Sequence, residues 1–186
     1  MTEKEKMLAG EIYDANYNEE LAKERLQAKD LCYEYNHLKP SDLENRTQIM
    51  KKLLGQTKQN FWIEQAFWCD YGYNIEIGEN FYANHNLVIL DGNKVKFGDN
   101  VFIGPNCGFY TAGHPLDYKT RNQGLEYAKP IEVGNNVWFG GNVVVMPGVK
   151  IGCNCVIGAG SVVTKDIPEG SLAYGNPCKV HKKIEN

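Results

Sequence analysis

The stretch Val133-Gly134-Asn135-Asn136-Val137-Trp138-Phe139-Gly140-Gly141-Asn142-Val143-Val144-Val145-Met146-Pro147-Gly148-Val149-Lys150-Ile151-Gly152-Cys153-Asn154-Cys155-Val156-Ile157-Gly158-Ala159-Gly160-Ser161-Val162-Val163 repeats in units of six. Each unit opens on a bulky apolar residue, usually followed by glycine. Its fifth position is small or apolar, as at Val137, Val143, Val149, Cys155 and Ser161. Beyond a longer excursion the same period continues backwards through Phe109, Ile103 and Phe97, and after a two-residue insertion through Ile89, Ala83 and Ile77. In a chain that is 42% hydrophobic, twelve apolar residues at twelve such positions arise by chance about 3 times in 100,000, which free choice of register and breaks does not undo. A period of six fits neither the helical turn nor uninterrupted strand alternation, so each unit reads as a short strand followed by a turn. Three units close one triangular coil. Stacked coils satisfy one another's backbone hydrogen bonds and bury a narrow aliphatic column. Glycine after each inward residue is expected to supply the backbone freedom of the corner. β-Hairpins with glycine turns would not hold this register so long.

Continued in sixes, the excursion between Phe109 and Val133 would put Pro115, Arg121 and Tyr127 in the core, where they cannot all belong. Residues 114–124 therefore read as a loop thrown off the coil, and long loops on rigid scaffolds tend to carry function. Residues 1–55 read as a helical segment. Asn18 caps a helix with Leu21, Ala22, Leu26, Ala28, Leu31, Cys32 and Tyr35 on one broad face. Ser41 and Glu44 form a capping box for a second helix carrying Leu43, Met50, Leu53 and Leu54, which Gly55 ends. The expected division is thus 1–55 helical and 56–186 repeat, with a protruding loop at about 110–130 and a basic tail.

With 186 residues the chain has room for one well-filled domain. A net charge of −3, from 20 basic and 23 acidic residues, gives no reason to expect a nucleic-acid or membrane surface. The charged start Met1-Thr2-Glu3-Lys4-Glu5-Lys6 leads into no apolar run of signal-peptide or membrane-spanning length, so the cytoplasm is the expected location. There the sequon Asn45-Arg46-Thr47 stays unused. Six cysteines lie scattered without a CxxC pair and read as reduced, mostly buried thiols rather than zinc ligands or a disulfide framework.

Several motifs together carry a family resemblance. The hexapeptide units, Tyr110-Thr111-Ala112-Gly113-His114-Pro115, Ile131-Glu132-Val133-Gly134-Asn135-Asn136-Val137-Trp138 and Ile157-Gly158-Ala159-Gly160-Ser161-Val162-Val163-Thr164-Lys165-Asp166 resemble the maltose and galactoside O-acetyltransferases. The N-terminal helices and Cys69-Asp70-Tyr71-Gly72-Tyr73-Asn74 are similar to the maltose branch in particular. The resemblance implies a mainly β fold, a left-handed parallel β-helix whose hand departs from the usual crossover rule and could not be read from periodicity. It also implies acetyl-CoA as co-substrate without a metal, a sugar acceptor, and a homotrimer with active sites between neighbouring subunits.

A sugar hydroxyl attacking a thioester needs a base near its proton, and histidine is largely neutral near pH 7. His37 lies at a helix end, His181 in the tail and His85 inside a coil unit; His114 alone opens the loop. Position and resemblance together make His114 the expected general base. Asp14, Asp70, Asn84 and Asp91 match, or lie beside, positions where the resemblance implies acceptor contacts, as suits a polyhydroxylated ligand. Asp70 stands where the galactoside branch has a hydroxyl side chain. For acetyl-CoA the resemblance points to Trp138 at the thioester end, to Gly141, Ala159, Thr164 and Lys165 along a groove, and to Lys179 and Lys182 at the phosphates. Lysine there supplies charge without the two-pronged geometry of arginine.

Three other readings compete. A γ-type carbonic anhydrase needs three histidines on zinc, and His85 and His114 lack a third coil-borne partner. A hexapeptide acetyltransferase acting on a xenobiotic or on serine would share base and donor but not acceptor. A non-catalytic scaffold would have no use for His114 in its loop.

Overall fold

A computed structural model describes residues 1–185. The chain winds into a three-sided prism of short parallel strands, with helices over its first coil. The first face holds Phe61–Ile63, Phe81–Ala83, Phe102–Ile103, Trp138–Phe139, Val156–Ile157 and Ser171–Gly175, with Cys178–Lys183 returning antiparallel at its end. Phe67–Cys69, Leu87–Leu90, Gly108–Tyr110, Val144–Val145 and Val162–Val163 make the second face. The third consists of Ile75–Glu76, Val95–Phe97, Ile131–Val133 and Lys150–Ile151. This is the parallel β-helix of hexapeptide repeats expected from the period of six. All twelve expected inward positions are at most 5% exposed. Phe81, Phe97, Phe109 and Phe139 stack through the core with successive centroids 5.2, 4.9 and 5.2 Å apart, the last two contacts edge-on. Each such contact adds about 0.5–1.5 kcal/mol to area burial.

The corner chemistry differs from expectation. Gly78, Gly98, Gly104, Gly134, Gly140, Gly152 and Gly158 do not have positive φ. They are glycine because coils pack too closely for a side chain: a Cβ on Gly134 would lie 2.7 Å from the Cys153 amide, and one on Gly140 2.6 Å from that of Ala159. The left-handed corner residue comes two positions later and is usually asparagine, at 80, 86, 100, 106, 136, 142 and 154. Asparagine tolerates that conformation and bonds locally. Here four of these residues also form a ladder, in which Asn80, Asn100 and Asn136 each donate Nδ2 to the next residue's Oδ1, ending on Asn154, at 3.1, 3.2 and 2.9 Å.

The prism begins one coil earlier than the sequence suggested, with Ile63 and Cys69 already inward beneath the helices. These helices are α1 (Glu3–Ala9), α2 (Glu19–His37) and α3 (Leu43–Leu53). Asn18 caps α2 as expected, accepting from the Leu21 amide at 3.0 Å, and Leu21, Ala28, Cys32 and Tyr35 are buried, whereas Leu26 is 62% exposed. α3 is capped by Asp42 rather than Ser41, its carboxylate accepting from the Asn45 amide. Buried Arg46 ties α3 to the first coil, donating to the Ile63 carbonyl at 2.9 Å with its guanidinium 4.2 Å from the Trp62 ring centroid. Among the described residues no helix is long and apolar enough to cross a membrane.

The outward residues of the three faces differ in kind. Trp62, Tyr82, Phe102, Trp138, Val156 and Leu172 run in register along the first face. Trp68, Val88, Gly108, Val144 and Val162 run along the second. On the third, Glu76, Lys96, Glu132 and Lys150 alternate in charge, with Lys96–Glu76 and Lys150–Glu132 each paired at 3.3 Å. Such exposed pairs add little stability.

Candidate active site

The excursion at the edge between second and third faces is a folded element, not an irregular loop. Ala112–Gly113 pairs antiparallel with Leu125–Ala128, and Tyr118–Arg121 forms one helical turn capped by Asp117. Tyr13–Asp14 adds a third strand, so the N-terminal segment is part of this site. The hairpin fixes His114. Its Nδ1 lies 3.2 Å from the Leu125 carbonyl, a contact that requires the proton on Nδ1 and leaves the neutral ring a lone pair at Nε2. Glu126 Oε1 is 3.9 Å from that Nε2, and its other oxygen accepts from the Tyr13 hydroxyl at 3.3 Å. Glu126 is not among the expected site residues because it lies on a strand within the stretch expected to be loop; its signal in the sequence is the alternation of Leu125-Glu126-Tyr127-Ala128.

Beside this hairpin a recess is lined by Tyr13, Arg25, Lys29, Asp70, Tyr71 and Glu126. Burial pushes the Asp70 carboxyl up, the Arg25 charge opposes it, and Glu126 adds to it. Asp14 lies on the same side, one carboxylate oxygen accepting from the Asn16 and Tyr17 amides at 3.1 and 2.9 Å. Asp91 does not fit the role expected of it. It is 0% exposed, with Oδ1 accepting from the Asp70 and Tyr71 amides at 3.0 and 2.9 Å and Oδ2 unpartnered, and burial raises its pKa to about 7. It braces the turn that carries Asp70 and is out of reach of a sugar.

Most of the other expected residues lie on a different edge, between first and second faces. There Asn84-His85-Asn86, Gly104-Pro105-Asn106, Gly140-Gly141-Asn142 and Gly158-Ala159-Gly160 stack coil on coil. The amides of Asn106, Asn142 and Gly160 donate to the carbonyls of His85, Pro105 and Gly141 at 2.9, 2.8 and 2.9 Å. Asn84 Oδ1 accepts the His85 amide at 2.7 Å, and its Nδ2 has no partner among the described residues. Trp138 stands 55% exposed on the adjoining first face. Lys179 and Lys182 lie exposed on the terminal hairpin of that face, opposite Tyr174 and Leu172. Thr164 and Lys165, by contrast, follow Val163 off the second face and share the edge of His114.

The expected residues therefore fall into two groups: His114, Asp14, Asp70, Thr164 and Lys165 on one edge, and Asn84, Gly141, Ala159, Trp138 and the tail lysines on or beside another. Among the described residues no group of three or more His, Cys, Asp or Glu is placed to hold a metal.

A prism of hexapeptide coils, capped by helices and bearing a histidine hairpin on one edge, defines a hexapeptide-repeat transferase. Residues 130–165 match the bacterial transferase hexapeptide repeats and residues 6–58 the maltose acetyltransferase hexapeptide capping motif. The galactoside O-acetyltransferase of Escherichia coli K12 is 46% identical over 98% of this chain and 89% of its own length. A maltose O-acetyltransferase crystal structure from Clostridium difficile 630 superposes with a TM-score of 0.98 at 52% identity, covering 100% of this chain and 99% of that one. A galactoside acetyltransferase in complex with coenzyme A gives 0.96 at 46%, covering 100% and 92%. The chain belongs to the maltose and galactoside O-acetyltransferase family.

Proposed function

We propose that the protein transfers an acetyl group from acetyl-CoA to a hydroxyl of a sugar, at sites shared by neighbouring subunits of a homotrimer. The observation that carries this reading is the fixed tautomer of His114. With Nδ1–H held by the Leu125 carbonyl, Nε2 is the free base. It takes the proton of an acceptor hydroxyl as that oxygen attacks the thioester carbonyl. The resulting tetrahedral intermediate carries an oxyanion, for which the free Nδ2 of Asn84 and the bare backbone at Gly141 are suited donors. Collapse expels the CoA thiolate, which recovers the proton from the imidazolium. Glu126 Oε1, 3.9 Å from Nε2, lies beside that imidazolium while it exists.

The trimer reading rests on the separation of two edges. His114 and the row of Asn84 and Gly141 stand on the two edges that flank the second face, so no single subunit closes the site and a ring of three supplies each edge from a neighbour. Such a ring brings the His114 edge of one subunit against the Asn84 and Gly141 edge of the next. The donor then runs along Gly141 and Ala159, with Thr164 and Lys165 from across the cleft, Trp138 at the thioester and Lys179 and Lys182 at the phosphates. Asp14 and Asp70 meet the acceptor. The complex of the galactoside relative with coenzyme A and the acceptor names of both relatives support donor and acceptor class.

The test is thiol release from acetyl-CoA across glucose, maltose and galactosides. Wild-type turnover on a sugar, reduced about 10²–10⁴-fold in His114→Ala with acetyl-CoA affinity unchanged, is the expected outcome. Full turnover in His114→Ala sinks the base assignment, and no turnover on any sugar sinks the acceptor class.

A further inference from the structure

Resting on the proposed sugar-acceptor site, we infer that His85 is a further specificity-determining residue, whose imidazole Nε2 accepts a hydrogen bond from an acceptor hydroxyl on the side of the cleft opposite His114. His85 is exposed at the edge between first and second faces, next to Asn84 and one coil before Pro105 in the row that continues through Gly141 and Ala159. One coil earlier the same edge is formed by Gln65.

Its ring is held, not free. His85 Nδ1 bonds the main-chain carbonyl of Gln65, and the Gln65 side-chain amide in turn donates to the carbonyls of Tyr35 and Leu38 at 2.6 and 2.9 Å. Those carbonyls close the C-terminal end of α2, so the helical cap reaches the acceptor edge through Gln65. A carbonyl partner requires the proton on Nδ1, which leaves Nε2 as a lone-pair acceptor with no partner among the described residues. His114 is fixed in the same tautomer by Leu125. The two imidazoles stand on the two edges that the ring brings together, and both present a lone pair to the cleft.

The roles differ because the neighbours differ. His114 has the Glu126 carboxylate 3.9 Å from Nε2, whereas His85 is flanked in the chain by the amides Asn84 and Asn86. An acceptor atom held in place by the scaffold reads a hydroxyl's presence and orientation and takes part in no proton transfer.

The experiment compares wild type, His85→Phe and His85→Gln in thiol-release kinetics on the best sugar acceptor and on its series of monodeoxy analogues. Phenylalanine keeps an aromatic ring and removes the acceptor atom; glutamine keeps a polar end. His85→Phe is expected to raise the sugar KM about three- to tenfold, the size of one neutral hydrogen bond, with kcat and the acetyl-CoA KM unchanged. It should also lose wild type's discrimination against one deoxy analogue, with His85→Gln restoring part of it. A His85→Phe sugar KM within twofold of wild type, with the deoxy ratios preserved, overturns the inference and leaves the sugar reading standing. Wild-type inactivity on every sugar overturns both. Loss of the acetyl-CoA KM together with the sugar KM overturns the inference in favour of a structural role.

Discussion

Asp91→Asn tests the reading of Asp91 as a buried brace. In the native state Asp91 Oδ1 holds two amides and Oδ2 holds nothing, and burial lifts the carboxyl from an ordinary 3.8 to about 7. The nearby Asp70 charge adds to the rise. Because the folded protein keeps this proton more tightly than the unfolded chain, the contribution is fully present below about pH 4 and is lost as pH climbs to about 7. A displacement of about three pH units is worth roughly 4 kcal/mol at about 1.36 kcal/mol each. From pH 5 to 8, where most other carboxylates are already ionised, roughly 3 kcal/mol of it is exercised. Asparagine keeps the acceptor for both amides and cannot ionise. Relative to wild type, Asp91→Asn should therefore gain stability across that range, by some 6–12 °C in melting temperature for a chain of this size. Thermal melts at fixed protomer concentration from pH 5 to 8 measure this. Curves of the two proteins that stay parallel across the range refute the reasoning, whatever their offset.

Three further outcomes are expected. Lys179→Ala combined with Lys182→Ala should raise the acetyl-CoA KM about tenfold with little change in the sugar KM, and an unaltered donor KM counts against phosphate contacts. His114→Ala and Asn84→Ala chains, each inactive alone, should recover about a quarter of wild-type turnover when refolded together in equal amounts, since about that share of interfaces pairs two intact edges. A mixture no more active than its parts removes the shared site. Cys153→Asn should raise the melting temperature by roughly 2 °C, because the Asn135 amide now bonds Cys153 Sγ at 3.2 Å where the coils below use the oxygens of Asp99 and Asn135, and sulfur is a weak acceptor. No change in melting would show that bond to be inconsequential.

The inward column was legible because core volume admits only apolar residues at a fixed spacing, so Phe97, Val145 and Ile157 announce themselves. The first coil was not, because the interval from Cys69 to Ile77 is eight and helices flank it. Asparagine and glycine at the third position after each core residue were in plain view at Asn136, Asn142, Gly148 and Asn154, but glycine at the first drew the corner role to itself. His114 could be found as the histidine of the excursion. The burial of Asp91 could not, since an acid in a turn and an acid under one share the same local sequence. The partition between edges was half-legible: Gly141 and Ala159 are eighteen apart, one full coil, while the excursion and an insertion hide Asn84 from that count.

Placing the hairpin and the glycine row on different edges of one rigid prism has an evolutionary corollary. Insertions at the hairpin edge bulge outward without altering the pitch of the stacked coils, so under the proposed function the hairpin's share of the acceptor site can be exchanged while the glycine row is inherited unchanged. Acceptor range can thus drift among descendants of a common scaffold that all draw on one acyl donor.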